Sequence, residues 1–166
     1  TRVSIKLLNH LGLKKQLISY HEHNKLESGP HILTRLQNGE SCALVTDAGT
    51  PAISDPGEEL VAQCAAQEIP VVPIPGPCAF VNALAVSGLP TGRFTFEGFL
   101  AMNKKNRRAH LESLRGEERT MIFYEAPHKL VATLRDLADT FGREREISLC
   151  RELTKLHEEI RRTTLG

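Results

Sequence analysis

The run Leu44-Val45-Thr46-Asp47-Ala48-Gly49-Thr50-Pro51-Ala52-Ile53-Ser54-Asp55-Pro56-Gly57 passes from an apolar strand pattern through a carboxylate and a glycine turn into a helix start. That order suits a cradle for a small molecule. Asp47 stands where a strand over residues 42–45 would end, Gly49 admits backbone conformations closed to other residues, and open α/β sheets hold ligands at such strand ends. Asp47 has a second reading, as a cap on the following turn. Another constrained turn follows in Pro70-Val71-Val72-Pro73-Ile74-Pro75-Gly76-Pro77. Two further groups carry charge. Asn103-Lys104-Lys105-Asn106-Arg107-Arg108 is either a solvated face or a phosphate contact, and Arg151, Glu152 and Lys155 cluster just after a strand pattern. His21-Glu22-His23 and His157-Glu158-Glu159 lack the spacing that puts two imidazoles on one helix face, so no metal site is expected.

Strand-turn-helix units must position these groups. The helix after the first turn is expected to take Asp55 as N-cap, Pro56 at its first position and Glu58 three residues after the cap, with Leu60, Val61, Cys64 and Ala65 on one face. Pro77 opens a second, apolar helix over 79–86, which Gly88 and Pro90 close. Upstream, a helix over 3–11 ends at Gly12, residues 17–21 form a short strand, and a helix over 24–38 should be interrupted at Gly29-Pro30. The stretch 87–93 reads as a linker between two α/β domains, 1–91 and 92–166. In the second, residues 94–100 form a half-buried strand with Phe94, Phe96 and Phe99 in the core. A basic helix over 103–115, a strand over 119–124, a helix opened by Pro127 and a strand over 146–150 complete it.

Composition narrows the class. A chain of 166 residues with 40% hydrophobic content can bury a core and holds at most two small domains. With 21 basic and 20 acidic residues, no whole-chain field demands a nucleic acid or a membrane, so any basic patch is local. Cys42, Cys64, Cys78 and Cys150 are irregularly spaced, which predicts reduced, mostly buried thiols rather than a zinc site or a disulfide framework. The absence of a membrane-length apolar run or a signal peptide pattern leads us to expect a cytoplasmic protein without a membrane partner.

Six ordered motifs carry a resemblance: the 46–57 run, Pro73-Ile74-Pro75-Gly76-Pro77, Ser87-Gly88-Leu89-Pro90, Phe96-Glu97-Gly98-Phe99-Leu100, Phe123-Tyr124-Glu125-Ala126-Pro127-His128 and Arg151-Glu152-Leu153-Thr154-Lys155. In order and spacing the chain resembles the ribosomal RNA small subunit methyltransferase I family of the tetrapyrrole methylase superfamily. The resemblance implies two α/β domains with a cofactor cleft between them, S-adenosylmethionine as cofactor, and 2′-O-methylation of a cytidine ribose in small-subunit (16S) ribosomal RNA. The partner would be that RNA or the assembled small subunit, and the usual assembly a homodimer. Carried over by residue, Asp47, Gly49, Thr50 and Ile53 fall on one cofactor turn, and Pro75, Gly76, Cys78 and Ala79 on the other. Tyr124, Glu125 and Ala126 match a cofactor-facing segment of the second domain. Family members begin with a strand and a glycine turn, then an acidic stretch ending Glu-Asp-Thr-Arg; Thr1-Arg2 matches its last two residues. The sequence is therefore expected to be a fragment lacking both family termini, including the first strand of the N-terminal domain.

Beside that resemblance, Lys104, Lys105, Arg107 and Arg108 are expected to contact RNA phosphates, with Arg151 in substrate handling. Methyl transfer from a sulfonium is an in-line displacement in which alignment matters most. Glu97, Glu152 and Lys155 are the candidate proton acceptors for the ribose hydroxyl, with no choice among them. Three alternatives stand: another small-molecule methylase of the superfamily, an aspartyl-phosphate phosphatase using the 45–50 loop, and a non-enzymatic RNA-binding domain. The phosphatase reading wants a second carboxylate where Gly49 stands.

Overall fold

The computed structural model describes residues 2–166, and Thr1 of the Thr-Arg pair lies outside them. The chain forms two compact units, Thr1–Cys78 and Ala79–Gly166.

The first unit holds α1 (Arg2–His10), α2 (Lys25–Gln37) and α3 (Glu58–Ala66). Gly12, at φ 68°, ends α1: its own N–H donates to Asn9 O (3.1 Å) and the Leu13 N–H donates to Leu8 O (2.9 Å), a closure that needs a left-handed residue. Contrary to expectation, α2 continues through Pro30. A proline there removes one backbone hydrogen bond, while Ile32 and Leu33 of the following turn become buried against Leu60 and Cys64 of α3. Each such aliphatic burial contributes roughly 1.5–3 kcal/mol, which offsets the lost bond. Tyr20, Leu36 and Ile69 close the cluster, and burial pushes the Cys64 thiol up. Cys42, by contrast, is exposed.

The strands expected over 17–21 and 42–45, and the one leading into the Pro/Gly turn of the 70–77 run, do not form: among the described residues the first unit has no paired strand. Pro70, Pro73 and Pro75 each lack an N–H, so the third segment has few donors for a ladder. Its Val72 and Ile74 are 75% and 81% exposed, so the apolar pattern there is not a core pattern. The expected Asp55 cap also fails. The helix starts at Glu58 after Gly57, whose φ of 144° breaks helical geometry, and the Asp55 carboxylate instead accepts from Thr46 Oγ1 at 3.3 Å.

The second unit is mixed α/β. It comprises α4 (Ala79–Val86), β1 (Phe94–Phe99), α5 (Lys104–Ser113), β2 (Thr120–Tyr124), a 3-10 turn (Pro127–Lys129), α6 (Leu130–Phe141), β3 (Glu146–Arg151) and β4 (Glu159–Thr164). β1 and β2 are parallel and joined through α5, as a parallel pair requires a crossover; β3 and β4 form an antiparallel hairpin. Leu100, Leu111 and Leu137 make the core with Phe123, Leu134, Phe141 and Leu165 around them. Asn103 caps α5 by accepting from the Lys105 and Asn106 amides, and Gly142, at φ 88°, ends α6. Arg162 of β4 donates to the Val86 and Ser87 carbonyls at 2.6 and 3.1 Å, placing a cation on the C-terminal end of α4 where the helix dipole favours it.

The entry to β2 makes stability pH-dependent. Glu117 accepts from the Arg119 amide (2.8 Å) and guanidinium (2.5 Å), which hold its carboxyl down to about 2 from an ordinary 4.5. A lowered folded value means the contribution is present above pH 4.5 and lost as pH falls toward 2. Glu117→Gln should lower stability above pH 4.5, where the charged pair contributes, and converge with wild type as pH falls toward 2, flattening that part of the acid transition. Identical urea midpoints for the two proteins at every pH from 5 to about 2 would contradict it.

Candidate functional site

In the first unit the two constrained turns meet. Thr50 Oγ1 donates to Pro77 O at 2.9 Å across 27 residues of sequence, and a Cβ on Gly49 would lie 4.0 Å from that same oxygen. Gly49 has φ 81°, and the loop beyond it carries two non-glycine residues in the left-handed region, Ala52 (65°) and Ser54 (58°). Such strain of about 1–3 kcal/mol per residue persists only where the surroundings over-determine it. Gly57 is the clamp: a Cβ there would sit 2.7 Å from Leu44 Cδ2 and 3.1 Å from Ala52 Cβ. Asp47 is exposed and, among the described residues, its carboxylate has no hydrogen-bond or ion-pair partner, so it does not cap the following turn. Ile53 is 42% exposed. The turns therefore present exposed main chain, an unpartnered carboxylate and an apolar side chain, a set suited to a small polar ligand with an apolar part.

In the second unit Glu97 is the extra residue of a β-bulge: Phe96 pairs with Ile122 and Gly98 with Phe123, leaving Glu97 outside the register. Bulges re-aim a side chain. Its carboxylate, 14% exposed, meets His110 Nε2 at 2.8 Å. Sequence reading missed His110, which stands one position before Leu111, buried in the core. Tyr124 sits among rings, with Phe96 at 5.1 Å and Phe99 at 5.4 Å, and its hydroxyl accepts from the Phe80 amide at 3.1 Å. Of the three phenylalanines expected in the core, Phe96 is half-buried and stacks on Phe80 at 4.5 Å. Phe94 and Phe99 are 40% and 58% exposed instead, because they end the strand with neighbours on one side only.

Arg107 does not join the basic face. Its Nε donates to Asp136 at 2.7 Å and its Nη2 to Thr133 Oγ1 at 2.8 Å, with Glu125 Oε2 at 3.8 Å from Nη1. Glu125 also accepts from Thr133 Oγ1 (2.5 Å) and the Ala126 amide (2.7 Å). The Glu125 carboxylate is thus committed inside the unit, fixing the turn at Ala126 before the 3-10 turn. Lys104, Lys105 and Arg108 instead line an open groove of about 760 Å³ with Arg115. Arg115 was not singled out from the sequence, although 104, 108 and 115 share the helical spacing that would have found it. It is held by Glu112 and by the Thr140 carbonyl.

The remaining charged candidates lie on the β3–β4 hairpin. Arg151 pairs across the ladder with Glu159 at 3.0 Å, and Lys155 pairs with Glu152 at 3.2 Å. Glu152 and Thr154 hold positive φ, 51° and 67°. Among the described residues no cluster of metal-ligating side chains forms, and no helix is long and apolar enough to cross a membrane.

Comparison with known proteins bears on this arrangement. The family profile of Tetrapyrrole (Corrin/Porphyrin) Methylases matches residues 12–166. Proteins named ribosomal RNA small subunit methyltransferase I are similar along the chain: that of Pseudomonas aeruginosa is 52% identical over all 166 residues, and that of Synechocystis sp. 53% over 165. The Escherichia coli O157:H7 protein is 45% identical over 166 residues. The chain spans 58–59% of the length of these relatives. With the profile covering nearly all of it, the chain belongs to the tetrapyrrole (corrin/porphyrin) methylase family.

Proposed function

We propose that the protein transfers a methyl group from S-adenosylmethionine to the ribose 2′-hydroxyl of a cytidine in small-subunit ribosomal RNA, with a homodimer as the working assembly. The observation that carries the cofactor half is the Thr50–Pro77 hydrogen bond, which makes one surface of two turns far apart in sequence. Asp47, Gly49, Thr50 and Ile53 on one turn, with Pro75, Gly76, Cys78 and Ala79 on the other, are the residues that would hold the cofactor. The fit rests on the unpartnered Asp47 carboxylate and on the open space beyond Gly49 and Gly76, where nothing lies closer to an added Cβ than 4.0 and 3.9 Å. When bound, S-adenosylmethionine supplies an electrophilic methyl carbon on a sulfonium. Roles for Tyr124, Glu125 and Ala126 are part of the same proposal, with Glu125 acting through its main chain because its carboxylate is occupied by Arg107 and Thr133.

The RNA half rests on the groove of Lys104, Lys105 and Arg108, cations in no ion pair among the described residues. Cations outside ion pairs suit phosphates, whose counterions they replace; the Glu112 carboxylate in the same groove is held by Arg115. For the hydroxyl proton, Glu97 is the best-supported acceptor. Its carboxylate is sheltered and oriented by His110, whereas Glu152 and Lys155 neutralise each other on an exposed loop. An oriented carboxylate within reach of the hydroxyl acts as a general base.

The test has two arms. Isothermal titration should give saturable binding of S-adenosylmethionine, and labelled methyl should appear on a cytidine 2′-oxygen of small-subunit RNA. Replacing Lys104, Lys105 and Arg108 by alanine should make the slope of log K against log salt shallower by about 2, at about 0.7 per phosphate contact on a single strand. Cofactor affinity should stay constant. Label on a small molecule with none on RNA would favour a different methylase of the family, and no cofactor heat would end the proposal.

A further inference from the structure

Within ten residues of the second unit, two exposed apolar side chains precede the unpaired cations. Phe99 ends β1 and is 58% exposed, its ring met from one side by Tyr124 at 5.4 Å and an interplanar angle of 59°. Met102, 79% exposed, follows with Lys129 Nζ against its sulfur. Asn103 then caps α5, and Lys104, Lys105 and Arg108 line the groove. Phe99 keeps one ring contact and leaves the rest of its surface to solvent a few residues before a cationic groove, a pairing that matches an occupant both flat and negatively charged. Single-stranded nucleic acid has that chemistry, with bases that stack on rings while the backbone follows the cations. Phe99 and Lys104 are five positions apart, at most about 18 Å of chain, so one short strand can engage both.

We infer that Phe99, flanked by Met102, is a stacking platform for one unpaired base of the RNA substrate, whose neighbouring phosphates lie in the Lys104–Lys105–Arg108 groove. The inference rests on the RNA reading above and adds a base-contacting residue to it. Stacking is not ionic, so the platform and the groove separate by their salt response.

The experiment measures binding of an end-labelled, single-stranded RNA of small-subunit ribosomal sequence to the protein and to Phe99→Ala and Phe99→Trp. Phe99→Ala should weaken binding roughly 5- to 150-fold, the range for loss of one base-aromatic stack. Its salt slope and its affinity for S-adenosylmethionine should match wild type. Phe99→Trp should retain affinity. An abasic strand of the same length, which keeps the phosphates and lacks bases, should bind wild type and Phe99→Ala alike. Equal RNA affinity for Phe99→Ala, or a loss confined to S-adenosylmethionine, would overturn the platform while leaving the RNA reading intact. Failure of the wild-type protein to bind the RNA at all would overturn the reading beneath it.

Discussion

Gly57→Ala should destabilise the first unit by about 2–4 kcal/mol, combining left-handed backbone strain with overpacking. The added methyl at φ 144° would meet Leu44 Cδ2 at 2.7 Å, Ala52 Cβ at 3.1 Å and Ala52 Cα at 3.4 Å. Leu44 can swing its terminal methyl away. Ala52 cannot, because its own φ of 65° is already strained and its Cα belongs to the loop. A double-mutant cycle separates the two: Leu44→Ala should relieve only part of the cost, leaving the pair still destabilised through Ala52. Urea unfolding is the measurement. A Gly57→Ala protein within about 0.5 kcal/mol of wild type, the range of a neutral surface change, would mean that the loop does not pack as described.

Helices were legible where one face of a helix had to be apolar. The repeat of Leu130, Val131, Leu134, Leu137, Ala138 and Phe141 marks α6; Leu134, Leu137 and Phe141 reappear around the core of the second unit, whereas Val131 is 61% exposed. The strands expected in the first unit do not form, and the apolar pattern alone could not exclude them. An apolar stretch such as Val71-Val72 says that side chains avoid water, but pairing also needs free N–H groups and a neighbour, and three prolines remove donors from that segment. Charge alone misassigned Arg107. It stands beside Arg108 in sequence but four residues before the buried Leu111, so helical geometry turns it toward α6, where Asp136 and Thr133 receive it.

The meeting of the two turns shows the limit more sharply. Both are visible in the sequence as special turns, because proline fixes φ and glycine admits backbone conformations closed to other residues. Nothing local says that Thr50 reaches Pro77, since a hydroxyl finds a carbonyl 27 residues away only through the fold. Likewise nothing local says that Glu97, unlike Glu152 and Lys155, sits at a bulge in β1 and meets His110.

That geometry allows the turns to be tested without confusing strain with ligand contact. Gly49→Val should lower S-adenosylmethionine affinity by roughly a hundredfold or more, about 2.7 kcal/mol. At φ 81° a β-branched residue also strains the turn, by about 1–3 kcal/mol, so loss of binding there has two causes. Gly76 has one. It does not hold a left-handed φ, and an added Cβ meets nothing nearer than Ile74 O at 3.9 Å, so Gly76→Ala should leave thermal stability unchanged. Any fall in affinity at Gly76 then reports the ligand's approach to the main chain. Titration of both variants, with melting curves alongside, decides the matter. Reduced affinity in Gly49→Val but not in Gly76→Ala would place the cofactor on the first turn alone, and unchanged affinity in both would remove the two turns from the site.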